Sequence, residues 1–178
     1  NMAITRLGGA NAISGTIPQG NIANASLGAV TALPAAIATG KVLQIQTTNY
    51  TGRVTTTSTS FVTASNGLSV DITPSATSSK IYVIVHTTLY NNLDSTYATA
   101  TIYRDSTNLG NSNLGMTTTW SASGTPNTGT SMTYLDSPST TSQITYQVYF
   151  RSVGSGTSNL NGLDSTQQGT ITAFEIAG

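Results

Sequence analysis

After residue 41 apolar and polar side chains alternate one for one along much of the chain, and a period of two admits strands and little else. Leu68, Val70 and Ile72 alternate with Ser69, Asp71 and Thr73 before Pro74 ends the run. Ile144, Tyr146, Val148 and Phe150 alternate with Thr145, Gln147, Tyr149 and Arg151. The run from Lys80 to Tyr90 is nearly continuous in Ile, Val and Tyr, which predicts a central strand covered on both sides for part of its length. Further strands are expected over Val42–Thr48, Arg53–Val62, Tyr97–Arg104, Leu114–Trp120, Ser131–Asp136 and Gly169–Ile176. Turn residues separate them at Asn66-Gly67, Arg104 to Asn108, Ser123 to Asn127, Asp136-Ser137-Pro138 and Asn161-Gly162.

With eight to ten short strands expected and no convincing helix of even ten residues, the fold class is all-β, an antiparallel β-sandwich of jelly-roll type. Missing crossover helices exclude a parallel α/β sheet. Alternation assigns Tyr82, Tyr146, Phe150 and Phe174 to the core.

Such a sheet needs a wet outer face, and charge does not supply it. Only six basic and six acidic side chains occur in 178 residues, whereas 34 Thr, 22 Ser, 14 Asn and 7 Gln do. Threonine suits this role, since its branched carbon favours the pleated backbone while its hydroxyl hydrates the surface. Zero net charge with singly scattered Lys and Arg argues against a nucleic-acid partner, whose phosphates reward clustered cations. The longest apolar run, Ile81 to Val85, is far below the ~20 residues a membrane-spanning helix requires, so no membrane insertion is expected. The interrupted N-terminus does not read as a secretory leader, so the chain is expected to stay where it is made unless carried out in a larger particle.

Residues 1–41 differ from the head domain expected over 42–178. Up to Gly40 they hold one charge, Arg6, and nine large aliphatic side chains: Ile4, Leu7, Ile13, Ile17, Ile22, Leu27, Val30, Leu33 and Ile37. Gly and Pro recur too often for a helix, and the apolar spacing fits no strand. A flexible linker is polar, and a disordered tail lacks this density of Ile and Leu. The segment reads as an extended arm that lays its aliphatic residues against another protein; packing back on its own domain is the alternative.

Chemistry-bearing residues are sparse. There is no Cys, and the single His, His86, builds no multi-histidine metal site. A hydrolase reading would rest on His86, but no strand-to-helix Gly-x-Ser-x-Gly elbow accompanies it. Four of the six acidic residues sit in turns, where Asp caps backbone amides. No catalytic residue, cofactor or metal is therefore expected. Tyr50, Tyr90, Tyr97 and Trp120 flank loops rich in Asn, Asp, Ser and Gly, a setting in which exposed rings serve a carbohydrate- or protein-binding surface, although packing at strand ends is the commoner reason for aromatic residues there.

Several phrases resemble a known group. The string Ile4 to Pro18 and the following Asn21 to Leu27 are similar to linker segments of tail fibres and related virion proteins of tailed phages, especially marine and cyanobacterial ones. Matching phrases in the body are Leu68 to Pro74, Ser78 to Val83, Tyr103 to Gly110, Tyr134 to Pro138 and Gly169 to Ile176. The resemblance implies a non-enzymatic virion structural protein with a β-sandwich head, commonly a homotrimer, assembled in the host cytoplasm, and brings no catalytic residues. Its partners would be further copies of itself, tail or major capsid proteins reached through the arm, and a host-surface glycan. A short tail fibre or receptor-binding trimer is the favoured expectation. A capsid decoration protein and a carbohydrate-binding module are the alternatives.

Overall fold

A computed structural model describes residues 41–64, 67–121, 127–162 and 166–178. The expected arm and its nine docking side chains lie outside these residues, as do Asn66 and residues 123–126 of two expected turns. Every regular element among the described residues is a strand, and none of them forms a helix long and apolar enough to cross a membrane.

Among the described residues twelve strands form two sheets. In chain order they are β1 (Val42–Thr51), β2 (Val54–Thr56), β3 (Val62–Thr63), β4 (Ser69–Ile72), β5 (Lys80–Asn91), β6 (Thr96–Arg104), β7 (Thr107–Asn108), β8 (Thr117–Ser121), β9 (Thr128–Asp136), β10 (Ile144–Val153), β11 (Ser158–Leu160) and β12 (Gln168–Ile176). The principal strands pair as a nested hairpin: β1 with β12, β4 with β10, β5 with β9 and β6 with β8, all antiparallel. Cross-pairs β12·β5 and β10·β6 roll that hairpin up, giving the orders β1-β12-β5-β9 and β4-β10-β6-β8. This connectivity is that of a jelly roll, so the expected fold class is found. The minor strands β2 and β11 prolong the first sheet and β3 and β7 the second.

Alternation explains which side chains meet between the sheets. On β10, Ile144, Tyr146, Val148 and Phe150 all point inward with 5% exposure or less, opposite Ile81, Val83 and Val85 of β5 and Ile171 and Ala173 of β12. Val70 and Ile72 of β4, with Leu68 just before it, close the same core. β5 is central, as its composition predicts, pairing β12 and β11 on one side and β9 on the other.

Three expectations change. Tyr82 and Phe174 are half-buried on the outer face of the first sheet, not in the core. The expected strand Arg53–Val62 breaks into β2 and β3, because Ser58 turns the chain with local bonds to Thr56 Oγ1 and the Ser60 carbonyl that displace the ladder. β11, lacking any alternation signal, is a strand nonetheless and is wholly buried.

Among the described residues two buried carboxylates, Asp136 and Glu175, each gather a cluster of hydrogen bonds. Asp136, at the end of β9, accepts both oxygens' worth of bonds from Arg104 of β6 at 2.8 and 2.9 Å, and a third from the Tyr146 hydroxyl of β10 at 2.7 Å. That cluster therefore ties the two sheets together. Burial first, then the adjacent Asp136 carboxylate, push the Tyr146 hydroxyl well above its ordinary pKa, so it stays a donor. Glu175 of β12 is fully buried without a cation. Its Oε1 accepts from Ser75 N, Ser75 Oγ and Ser79 Oγ at 2.6–2.7 Å, and Oε2 from Gln44 Nε2 at 2.6 Å.

Candidate functional site

The four aromatic residues singled out from sequence part company. Tyr97 of β6 and Trp120 of β8 face each other across the strand pair, with ring centroids 4.4 Å apart and planes inclined by 53°. They are 39% and 45% exposed, on the outer face of the second sheet. Tyr90 is 4% exposed and leaves the surface group: it lies in the last five residues of β5, Thr87 to Asn91, where every side chain is buried. Tyr50, at the end of β1, packs against the core and over Gly67, where an added Cβ would collide with its ring. The structure thus brings together two of the four expected rings.

The Tyr97–Trp120 pair stands on a rigid end of the sandwich. Asn91, fully buried, donates from Nδ2 to Ser152 Oγ at 2.8 Å and accepts from Leu93 N at 3.0 Å. Ser121, next to Trp120, donates its hydroxyl to the Asn91 carbonyl at 2.9 Å. Ser95 N donates to the Ser121 carbonyl at 2.6 Å, which fixes the β5–β6 turn against β8. Ser95 takes a left-handed conformation, φ 58°, to close that turn. Such bonding holds the ring pair in place before any ligand arrives, which reduces the ordering cost of binding.

His86 is exposed on the outer face of β5, with Nδ1 3.4 Å from Ser131 Oγ. Its neighbours across the sheet in the same row are Thr170 and Ser131, with Asn49 beyond Thr170. No carboxylate stands in that row to orient the imidazole, so a Ser-His-acid relay does not form there. Among the described residues no three His, Asp or Glu side chains gather as a metal site would need.

A shallow polar cleft of about 300 Å³ opens between the edges of the two sheets. Gln44 and Gln46 of β1, Asp71 and Thr73 at β4, and Gln143 before β10 line it. Sequence periodicity gave no hint of this cleft, because it arises where two separate edge strands come side by side. Gln44 is already committed inward, to Glu175 and to the Thr73 carbonyl at 2.7 Å.

No family model matches the chain, and no curated protein matches it by sequence. Similar solved structures are VP2 proteins of infectious bursal disease virus. The VP2 subviral particle is 14% identical with a TM-score of 0.38, over 76% of this chain and 38% of that one. A VP2 point mutant in derived T=1 particles is 13% identical with a TM-score of 0.37, over 76% of this chain and 36% of that one. This chain spans little more than a third of their length. With TM-scores below 0.5 these likenesses carry no argument, and the fold stands on the strand order of the chain itself.

Proposed function

We propose that this protein is a non-enzymatic structural component of a tailed-phage virion, anchored by residues 1–41 and displaying its jelly-roll head as a homotrimer on the particle surface. The contrast between the two parts carries the reading. Forty residues with nine large aliphatic side chains and one charge precede a head whose buried charged groups are internally satisfied. Each aliphatic side chain, if fully covered, contributes about 1.5–3 kcal/mol of burial before the cost of ordering the arm is subtracted. The absence of an acid in the row of His86 favours a structural role over hydrolysis.

The seat on the virion is a short tail fibre or receptor-binding trimer; a capsid decoration protein is the other seat the arm suits, and copy number separates them. A protein lacking residues 1–40 is expected to remain folded by circular dichroism and to lose co-sedimentation with purified particles. Retained co-sedimentation would overturn the arm's role.

The exposed Tyr97–Trp120 pair favours a second activity of the head, contact with a host-surface glycan, since sugars stack on aromatic rings held beside polar loops. Trp120→Ala should weaken binding of the protein to a cell-surface polysaccharide by roughly tenfold, about 1.4 kcal/mol, without altering the thermal midpoint. Unchanged affinity on a glycan array would remove the glycan from the account.

A further inference from the structure

The outer face of the first sheet does not look like a solvated surface. An antiparallel sheet with one wet face normally presents polar side chains there. Here the register places Ile45 of β1 beside Phe174 of β12, Phe174 beside Tyr82 of β5, and Tyr82 beside Leu135 of β9. One apolar row therefore crosses all four strands. Its two ends are the most exposed, Ile45 at 55% and Leu135 at 51%, while Tyr82 and Phe174 are half-buried with ring centroids 6.4 Å apart. Val42, 47% exposed, pairs with Ile176 and extends the row on one side. On the other side polarity returns by steps: first Thr47, Thr172, Ile84 and Thr133, then the row of His86. Lys80 is the one formally charged side chain among the outward positions of these strands.

We propose that this face is the surface through which copies of this chain associate. It rests on the trimeric reading given above and names the side chains that would carry it. Three observations choose a second copy as the occupant. The face is almost free of charge, so it offers no complementary potential to a charged partner, and a copy of itself meets it without repulsion. The apolar row is not rimmed by polar residues at the sheet edges but runs off both of them, and a neighbour bearing the same row continues it. Both edge strands, β1 and β9, lack a further paired strand among the described residues. Each copy thus presents both an Ile45 end and a Leu135 end, which is what a head-to-tail contact closing into a ring requires.

The test uses the full chain. Its mass in solution is expected to be three chains by analytical ultracentrifugation, and Ile45→Glu with Leu135→Glu should reduce it to one chain with an unchanged circular dichroism spectrum. A control pair on other surfaces, Leu93→Glu with Leu114→Glu, should leave the oligomer intact, since those residues are exposed to a similar degree, 44% and 49%, outside this row. Hydroxyl-radical footprinting of the unmodified protein supplies a reading that needs no substitution: Ile45 and Leu135, the two ends of the row, should be protected in the oligomer and labelled on dilution. A single-chain mass at the highest concentration reached, an oligomer that survives the Ile45/Leu135 pair, or unprotected Ile45 and Leu135 would each overturn the proposal. The virion reading would fail separately, by loss of particle incorporation, whatever the mass in solution.

Discussion

Asp136→Ala is expected to lower the unfolding free energy by about 3 kcal/mol, a large share of the ~5–15 kcal/mol that holds a domain of this size. The carboxylate is the hub of the link between the sheets. Without it the Arg104 guanidinium, whose side chain is 26% exposed, loses both oxygens it binds, and the buried Tyr146 hydroxyl is left without its acceptor. Ser137 N, which donates to Asp136 Oδ1 at 2.9 Å, loses a partner too. Partial exposure of Arg104 lets water recover some of its solvation, which keeps the cost near the lower end of the range for a broken buried pair. Tyr146→Phe removes one bond and leaves the ion pair standing, so its cost should be nearer 1 kcal/mol. Urea unfolding of the three proteins side by side gives the order directly; equal midpoints for Asp136→Ala and the unmodified chain would contradict the role assigned to the hub.

The second large effect is expected at Glu175, and it carries a pH signature. Burial opposes the ionised form of this carboxyl, but hydrogen bonds from the Ser75 side chain, Gln44, Ser79 and the Ser75 backbone outweigh it and hold the pKa below its ordinary value of 4.5. A carboxyl whose folded pKa is depressed binds its proton more weakly in the folded state than in the unfolded one. Its contribution to stability is therefore complete above pH 4.5 and is lost as pH falls through the folded pKa. Glu175→Ala should cost about 3 kcal/mol at neutral pH, because several donors aimed at one buried point lose their acceptor together. Glu175→Gln should cost less and should flatten the acid limb of the stability curve, since the amide does not titrate. Chemical denaturation between pH 7 and pH 3 measures both, and an unchanged acid limb in Glu175→Gln would show that another group governs it.

These two clusters mark where reading the sequence stops. Period-two alternation located the inward set of β4 and β10 because in those strands every second residue is apolar and its neighbours are not. On β5 both faces carry Ile, Val or Tyr, so alternation could not say that Tyr82 points outward. β12 misleads for a sharper reason. Phe174 is the more apolar residue, yet Glu175 is the one turned inward, because Ser75, Ser79 and Gln44 converge on it from a loop and from β1. Those partners lie 96 to 131 residues away in sequence, beyond any local pattern. Asp136 was legible only as a turn residue. It does cap Ser137, but its main bonds go to Arg104 and Tyr146, which the pairing of separate strands brings to it.

Of the candidate binding residues, Tyr97 and Trp120 were legible as ring-bearing strand ends, and their pairing was not, since it depends on the β6–β8 register. Tyr90 could not be placed from composition because the strand that carries it is buried along its last five residues. The polar character of the surface was legible outside the apolar row of the first sheet. Threonines that alternate with core residues reappear outside as facing hydroxyls, such as Thr47 and Thr172 at 2.8 Å. Little in such a surface depends on ion pairs, so the head should tolerate wide changes in salt.

The proposed virion role is tested most directly by the amount of this chain in purified particles of the virus proposed to encode it, measured by quantitative mass spectrometry against the major capsid protein. For the proposed trimer the chain is expected in copies divisible by three, a few tens for a tail seat or several hundred for a capsid seat. Particles that lack the chain would contradict the virion role.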